Sequence, residues 1–210
     1  MGSEKRGRGR PVGSRVDPDE RRASLLDAAE RAIRLKGPGA GLADIAAEAG
    51  FVRSAVYAMY PNRDALVAAL GQRTARRLLA EITRRAAGST DLRDRMSLFF
   101  DVILGWMADE PNLYRALSNE PAAGVFEDLA AAVEYMLARS LGAGGASVAA
   151  AAPWARAIVG SAVTVGEWWC RTASMPRREL VEHLTALCWE GGAALPFIAS
   201  DITAIDSGDH

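Results

Sequence analysis

Histidine and cysteine are scarce in this chain, with two of each among 210 residues. His183 and His210 are too few and too far from other ligand types to suggest a metal site. Cys170 and Cys188 have neither metal-ligand spacing nor close pairing partners, so two buried thiols of a reducing compartment are expected, with no metal and no cofactor. An enzyme would need a nucleophile and a base. The nearest approach to one is Cys188 with His183, and their five-residue separation sets them on different faces of a helix. No catalytic residue is assigned. Also missing is any uninterrupted apolar run near the ~20 residues that a membrane span requires, and the basic N-terminus has no apolar segment behind it. Neither export nor insertion is indicated, and the expected location is cytoplasmic. Strand-like alternation is nowhere sustained. What remains is an all-α chain of about nine helices.

Acidic charge is thin in the first part of the chain. Residues 1–85 hold 17 Lys/Arg against 10 Asp/Glu, giving +7, and residues 86–210 hold 8 against 16, giving −8; together they return the net −1 of the whole. The first part can approach a polyanion and the second cannot, which is the footprint of a nucleic-acid-binding module joined to a domain with another task.

Residues 1–16 are poor in apolar side chains and rich in Gly and Arg, and are expected to be a disordered basic arm. A helix pattern starts at Asp17 or Pro18, with Leu25, Leu26, Ala29, Ile33 and, less regularly, Leu35 on its apolar face. Lys36 and "GPGAG" close it. Short segments follow at residues 42–49 and 53–60, then a longer one from Asn62 with Leu66, Leu70, Leu78 and Leu79 on one side and Arg73, Arg76, Arg77, Arg84 and Arg85 among its polar positions. Ser89 or Thr90 is the expected cap of the next helix, residues 92–108, which Pro111 ends. Residues 112–118 form a short piece, Pro121 leads a helix through Leu141, and two long helices close the fold over residues 154–173 and 176–195.

The stretch "DIAAEAGFVRSAVYAMYPNRDAL" joins two segments that are each too short to be stable alone, since isolated helices below about 12 residues are marginal in water. Helix, glycine-containing turn and helix is the arrangement that lays its second helix in the DNA major groove. Ile45, Ala46 and Ala49 supply the inward face of the first helix, Gly50 the left-handed turn, and Val56 the inward anchor of the second. Arg53, Ser54 and Tyr57, with Ala55 and Met59 beside them, then face outward, where arginine can read guanine and serine or tyrosine can bond phosphate or base.

The gap-free run "GLADIAAEAGFVRSAVYAMYPNRDAL", with "LLDAA" upstream, resembles the DNA-binding domain of the TetR/AcrR family of transcriptional regulators. The matching positions are Ile45 and Ala46, then Ala49 to Val52, then Tyr57 and Tyr60, then Asn62 to Asp64 and Leu66. Val52 stands where family members carry Ser or Thr, so a helix cap and a phosphate contact are absent there. Arg63 replaces the family's usual Lys and keeps the charge that the family directs at a phosphate. Met59 replaces a frequent His, and Gly41 with Leu42 replaces a Thr. The resemblance implies a DNA-binding domain over residues 17–62 and a helical ligand-binding and dimerisation domain over residues 63–198, with residues 199–210 a tail. It also implies a homodimer on a pseudo-palindromic double-stranded operator, repression, and release by a small-molecule effector.

"RGRP", from Arg8 to Pro11, resembles an AT-hook core. Glycine allows close approach to the minor-groove floor, and Arg8 and Arg10 suit its enhanced negative potential. A solvated basic tail that adds nonspecific affinity is the competing reading. In the second domain, Phe99, Ile103, Trp106, Met107, Tyr114, Phe126, Val133 and Met136 are candidates to line a pocket for an apolar or aromatic ligand, and Glu167 is the candidate buried carboxylate that orients it. The same aromatic residues could simply be core. Trp154, Ile158, Ala162, Val165 and Trp169 form one stripe of the penultimate helix, Leu180, Leu184, Leu187 and Gly191 one of the last, and small residues such as Gly160 and Gly166 permit close helix contact. The alternative function is a nonspecific, architectural DNA binder without an inducer, which leaves some 120 acidic, aromatic-containing residues unexplained.

Overall fold

The computed structural model describes residues 17–119 and 124–191, and among these residues it is all-helical, with nine α-helices and a single 3₁₀ turn. The basic arm with Arg8 and Arg10, Pro121 and the tail at 199–210 lie outside the described residues. Helix α1, Pro18–Lys36, starts where the sequence places it: the Asp17 carboxylate accepts from the Asp19 N–H, proline fills the first turn, and Gly37 closes the far end onto the Ile33 carbonyl. Helices α2 (Leu42–Ala49), α3 (Arg53–Met59) and α4 (Arg63–Ala86) follow. The Asn62 side chain caps α4 by accepting from the Ala65 N–H at 2.8 Å. Helix α5 is Leu92–Asp109 and α6 is Pro111–Ser118, so Pro111 opens α6 as well as ending α5. Then come α7 (Val125–Ala143), the 3₁₀ turn Val148–Ala150, α8 (Ala151–Thr172) and α9 (Arg177–Glu190).

Several local expectations change. Asp91, and neither Ser89 nor Thr90, caps α5; a carboxylate there suits the positive helix end, and the Ser89 hydroxyl instead accepts from the Asp91 N–H. Leu35 is exposed, because it falls off the 3.6-residue stripe of Leu25, Leu26, Ala29 and Ile33 that packs inward. Leu187 is exposed while Leu180 and Leu184 are buried. Cys170 is exposed and Cys188 half-buried, so the thiols are less enclosed than their scarcity suggests.

One continuous apolar cluster runs from Leu25 in α1 to Leu184 in α9. Helix α5 is its axis, touching α4, α6, α8 and α9, with Phe100, Leu104 and Met107 fully buried. Gly166 lets α8 lie against α5: a Cβ there would stand 2.7 Å from the Met107 sulfur. The segment Val148–Thr172 is long and apolar enough on average to cross a membrane, although charged side chains interrupt it. Only 28% of its most apolar stretch is buried within the chain, which leaves an uncovered face.

Helix α1 is fastened to α4 by charge. Glu30, 4% exposed, accepts from Arg77 at 2.6 Å and Arg34 at 3.3 Å and lies 3.6 Å from Arg73. Arg73 also donates to Asp27 and to the Ala23 carbonyl. The arginines that periodicity assigns to a solvated face are thus partly a clamp. Removing one partner of a buried pair leaves uncompensated charge, which costs about 3–5 kcal/mol in full burial; with Arg34 and Arg77 about half exposed we discount that to about 2–3 kcal/mol. Glu30→Ala is therefore expected to lower the thermal midpoint by roughly 5–10 °C, and calorimetry of the whole chain checks it. Arg84→Ala, which breaks a surface pair with Glu81, is the control and should leave the midpoint unchanged.

Candidate nucleic-acid interface

The geometry of the α2–α3 pair follows from a few local constraints. Ile45 and Ala46 of α2 and Val56 of α3 are buried, at 2% exposure or less, and Ala49 is half-buried against them. Gly50 sits at φ 67°, a left-handed conformation that costs glycine no Cβ clash, and the Phe51 N–H returns to the Ala46 carbonyl at 3.0 Å. Asp44 accepts from the Gly41 N–H at 3.0 Å, which ties the start of α2; Lys36 beside it, through a charged hydrogen bond, holds the Asp44 carboxyl below the usual range. With Val56 pinned inward, the opposite side of α3 has only one direction to face.

That side carries Val52, Arg53, Ser54 and Tyr57, all exposed, Tyr57 at 52%. Val52 is the residue before α3 and offers no capping hydrogen bond, as its side chain dictates. Ala55 is half-buried at the edge of this surface. Met59 is half-buried against the core and so stands back from it. Tyr60 is buried, and that burial raises its phenol pKa. Arg63 is engaged within the fold: its guanidinium donates to the Pro38 carbonyl at 2.7 Å and the Ala40 carbonyl at 3.4 Å, because the α1–α2 loop ends beside the first turn of α4. It locks that loop in place. Other cations of the region are engaged too, Arg31 with Glu48 and Lys36 with Asp44. Arg53 makes no ion pair among the described residues and remains on the outward face. Arg8 and Arg10 lie outside the described residues.

The second cluster of candidate residues divides. Phe99, Ile103, Met107, Tyr114 and Val133 are buried and Trp106 and Phe126 half-buried. The Trp106 and Tyr114 rings meet edge-on at 5.8 Å, and Tyr114 meets Phe126 at 6.2 Å. The Tyr114 hydroxyl is buried and closes no hydrogen bond; Glu167 and Ser118 approach it without completing one. Burial first, and the Glu167 carboxylate second, push its phenol far above the ordinary range. Met136 is 46% exposed on the outer side of α7 and leaves the cluster. Glu167 is exposed as well. It is a rim carboxylate, since α8 turns that position away from the α5 contact made by its neighbour Gly166. Helix α6 is tied to α1 by Arg34, which donates to both Glu110 oxygens at 3.0 and 2.7 Å, and by Asn112, which donates to the Arg34 carbonyl at 3.1 Å.

Comparison with known proteins finds two family matches. Residues 25–70 match the family described as bacterial regulatory proteins, tetR family, and residues 118–197 match the tetracyclin repressor-like C-terminal domain. An uncharacterised HTH-type transcriptional regulator of Mycobacterium tuberculosis is 28% identical over 178 residues, 81% of this chain and 76% of the relative. The HTH-type nicotine-responsive transcriptional repressor HdnoR of Paenarthrobacter nicotinovorans is 35% identical over 101 residues, covering 47% and 52% of the two chains. In overall fold the chain is similar to the transcriptional regulator FadR of Bacillus subtilis, solved with stearoyl-CoA, at a TM-score of 0.64 and 16% identity over 80% of this chain and 98% of that one.

Proposed function

The chain belongs to the TetR family of helix-turn-helix, DNA-binding transcriptional regulators, and from that premise we propose that it is a homodimeric repressor released from its operator by a small apolar or aromatic effector. The observation that carries the reading is the outward face of α3, with Arg53, Ser54 and Tyr57 presented opposite a fully buried Val56. Residues 17–62 are the DNA-binding unit, residues 63–198 bind effector and partner, and the arm at 1–16 adds basic contacts alongside. Dimerisation is supported by the uncovered face of α8, and it supplies the twofold symmetry that a pseudo-palindromic operator matches.

The effector part of the reading is supported by the aromatic cluster of Trp106, Tyr114 and Phe126 with an orphaned hydroxyl among apolar rings, and by a relative described as a nicotine-responsive repressor. An unsatisfied buried hydroxyl costs about 1–3 kcal/mol that a ligand can recover. The Arg34–Glu110–Asn112 tie gives a bound ligand a direct path from α6 to α1 and the reading head. A ligand acts only by its difference in affinity between the two states, so the effector must favour a spacing of recognition helices unlike the operator's, whose half-sites lie about 34 Å apart.

Binding to the DNA upstream of the chain's own gene, against scrambled duplex across a salt series, tests the first part. A preference of about a hundredfold or more is expected. Nicotine, stearoyl-CoA and an anilinonaphthalene dye are then the first effector probes. Equal affinity for both duplexes would favour an architectural role, whereas an operator preference untouched by every probe would retire the apolar-effector reading alone.

A further inference from the structure

A notch of about 460 Å³ opens between the start of α1 and the α2–α3 turn, at the edge of the surface that carries Arg53. One wall is apolar, made by Phe51, Val52 and Ala55 over Gly50; the other is polar, made by Arg21 and Ser24 with Glu20 beside them. Val52 is 70% exposed, one of the most exposed large apolar side chains among the described residues. It makes no capping hydrogen bond at the entrance of the recognition helix. Phe51 behind it is half-buried against the core, so the apolar wall is fixed in place.

Resting on the DNA-binding reading, we propose that this notch is a thymidine subsite: the C5-methyl of one thymine in each half-site seats against Val52 and Ala55, while Arg21 and Ser24 hold the adjoining phosphate. Residues at the N-terminal end of a recognition helix are the ones that meet base edges. In the major groove thymine alone offers a methyl group, and the other bases would press polar edges or bare ring carbon against the same wall. A guanidinium and a hydroxyl on the opposite wall of the notch suit the phosphate that flanks such a base. Glu20 shares the α1 rim, so the phosphate lies on the Arg21 side of it.

The test uses the full chain and duplexes selected by it from a random library, resynthesised with deoxyuridine in place of thymidine at one symmetry-related pair at a time. Deoxyuridine keeps base pairing and removes only the methyl. One pair is expected to weaken binding about fourfold per half-site, about fifteenfold in all, the effect of burying one carbon. In Val52→Ser the loss at that pair should shrink below about twofold, with the melting temperature unchanged or slightly raised, because Val52 is outside the core and a serine there can cap α3. Arg21→Ala should weaken thymidine and uridine duplexes alike and flatten the salt dependence. If every uridine substitution is neutral, or if the loss persists in Val52→Ser, the subsite is wrong while operator recognition stands. If the library yields no preferred sequence, the DNA-reading role itself fails and the subsite fails with it.

Discussion

Arg53→Ala is expected to abolish selective operator binding while leaving the fold intact. The side chain is exposed, lies in the first turn of α3, and makes no ion pair among the described residues that its removal would strand. A bidentate arginine–guanine contact discriminates by about 1–3 kcal/mol. A twofold operator counts it twice, so the loss is about 2–6 kcal/mol, or roughly thirtyfold to ten-thousandfold in affinity. Fluorescence anisotropy with operator and scrambled duplexes measures it, and the salt slope identifies the contact. A base contact leaves the slope as it was, whereas a lost phosphate contact lowers it by about one per half-site. Arg53→Lys separates charge from geometry, because an ammonium keeps the former and lacks the planar fork. Should Arg53→Ala weaken both duplexes equally, Arg53 is a phosphate anchor, and base selection passes to Ser54, Tyr57 and the notch.

The reading head was legible because its constraints are local. Gly50 announces a left-handed turn, and the spacing of Ile45, Ala46 and Val56 leaves only one face for Arg53 and Tyr57. Pairings made across the fold were not legible in that way. Arg73 and Arg77 have the spacing of a solvated face, yet they answer to Asp27 and Glu30 more than forty residues earlier, because α1 packs on α4. One signal was available. Glu30 stands four residues after Leu26 and three before Ile33, on an apolar stripe where a carboxylate needs a partner. Arg63 shows the opposite limit: its charge suits a phosphate, and only the folded loop reveals that the Pro38 and Ala40 carbonyls hold it. Met136 and Glu167 lie exposed for a related reason, since helices packed on more than one neighbour have no single inward side that periodicity can identify.

The same ambiguity in α8 leads to the largest effect we expect. Its inward side, Ala155, Ile158, Ala162 and Gly166, packs within the chain. The other side presents Trp154, Ala157, Ser161, Thr164 and Trp168 at spacings of three and four, with Trp154 52% and Trp168 41% exposed. Two large aromatics separated by small residues are what close helix crossing about a twofold axis requires, and Leu187 and Trp189 of α9 add exposed apolar area from the neighbouring helix. Covering the exposed part of Trp168 removes roughly 100 Å² from water, worth about 2.5 kcal/mol per protomer and about 5 kcal/mol per dimer. Trp168→Glu forfeits that area and sets a carboxylate in its place, next to Glu167. The dimer dissociation constant should therefore rise by roughly five-thousandfold or more, so that sedimentation equilibrium at micromolar concentration finds monomer where the unaltered chain gives dimer. Operator affinity should collapse with it, because one reading head meets one half-site, while circular dichroism stays helical. A Trp168→Glu chain that remains dimeric and bound to its operator would move the partner surface off α8 and leave the exposed tryptophans without a role.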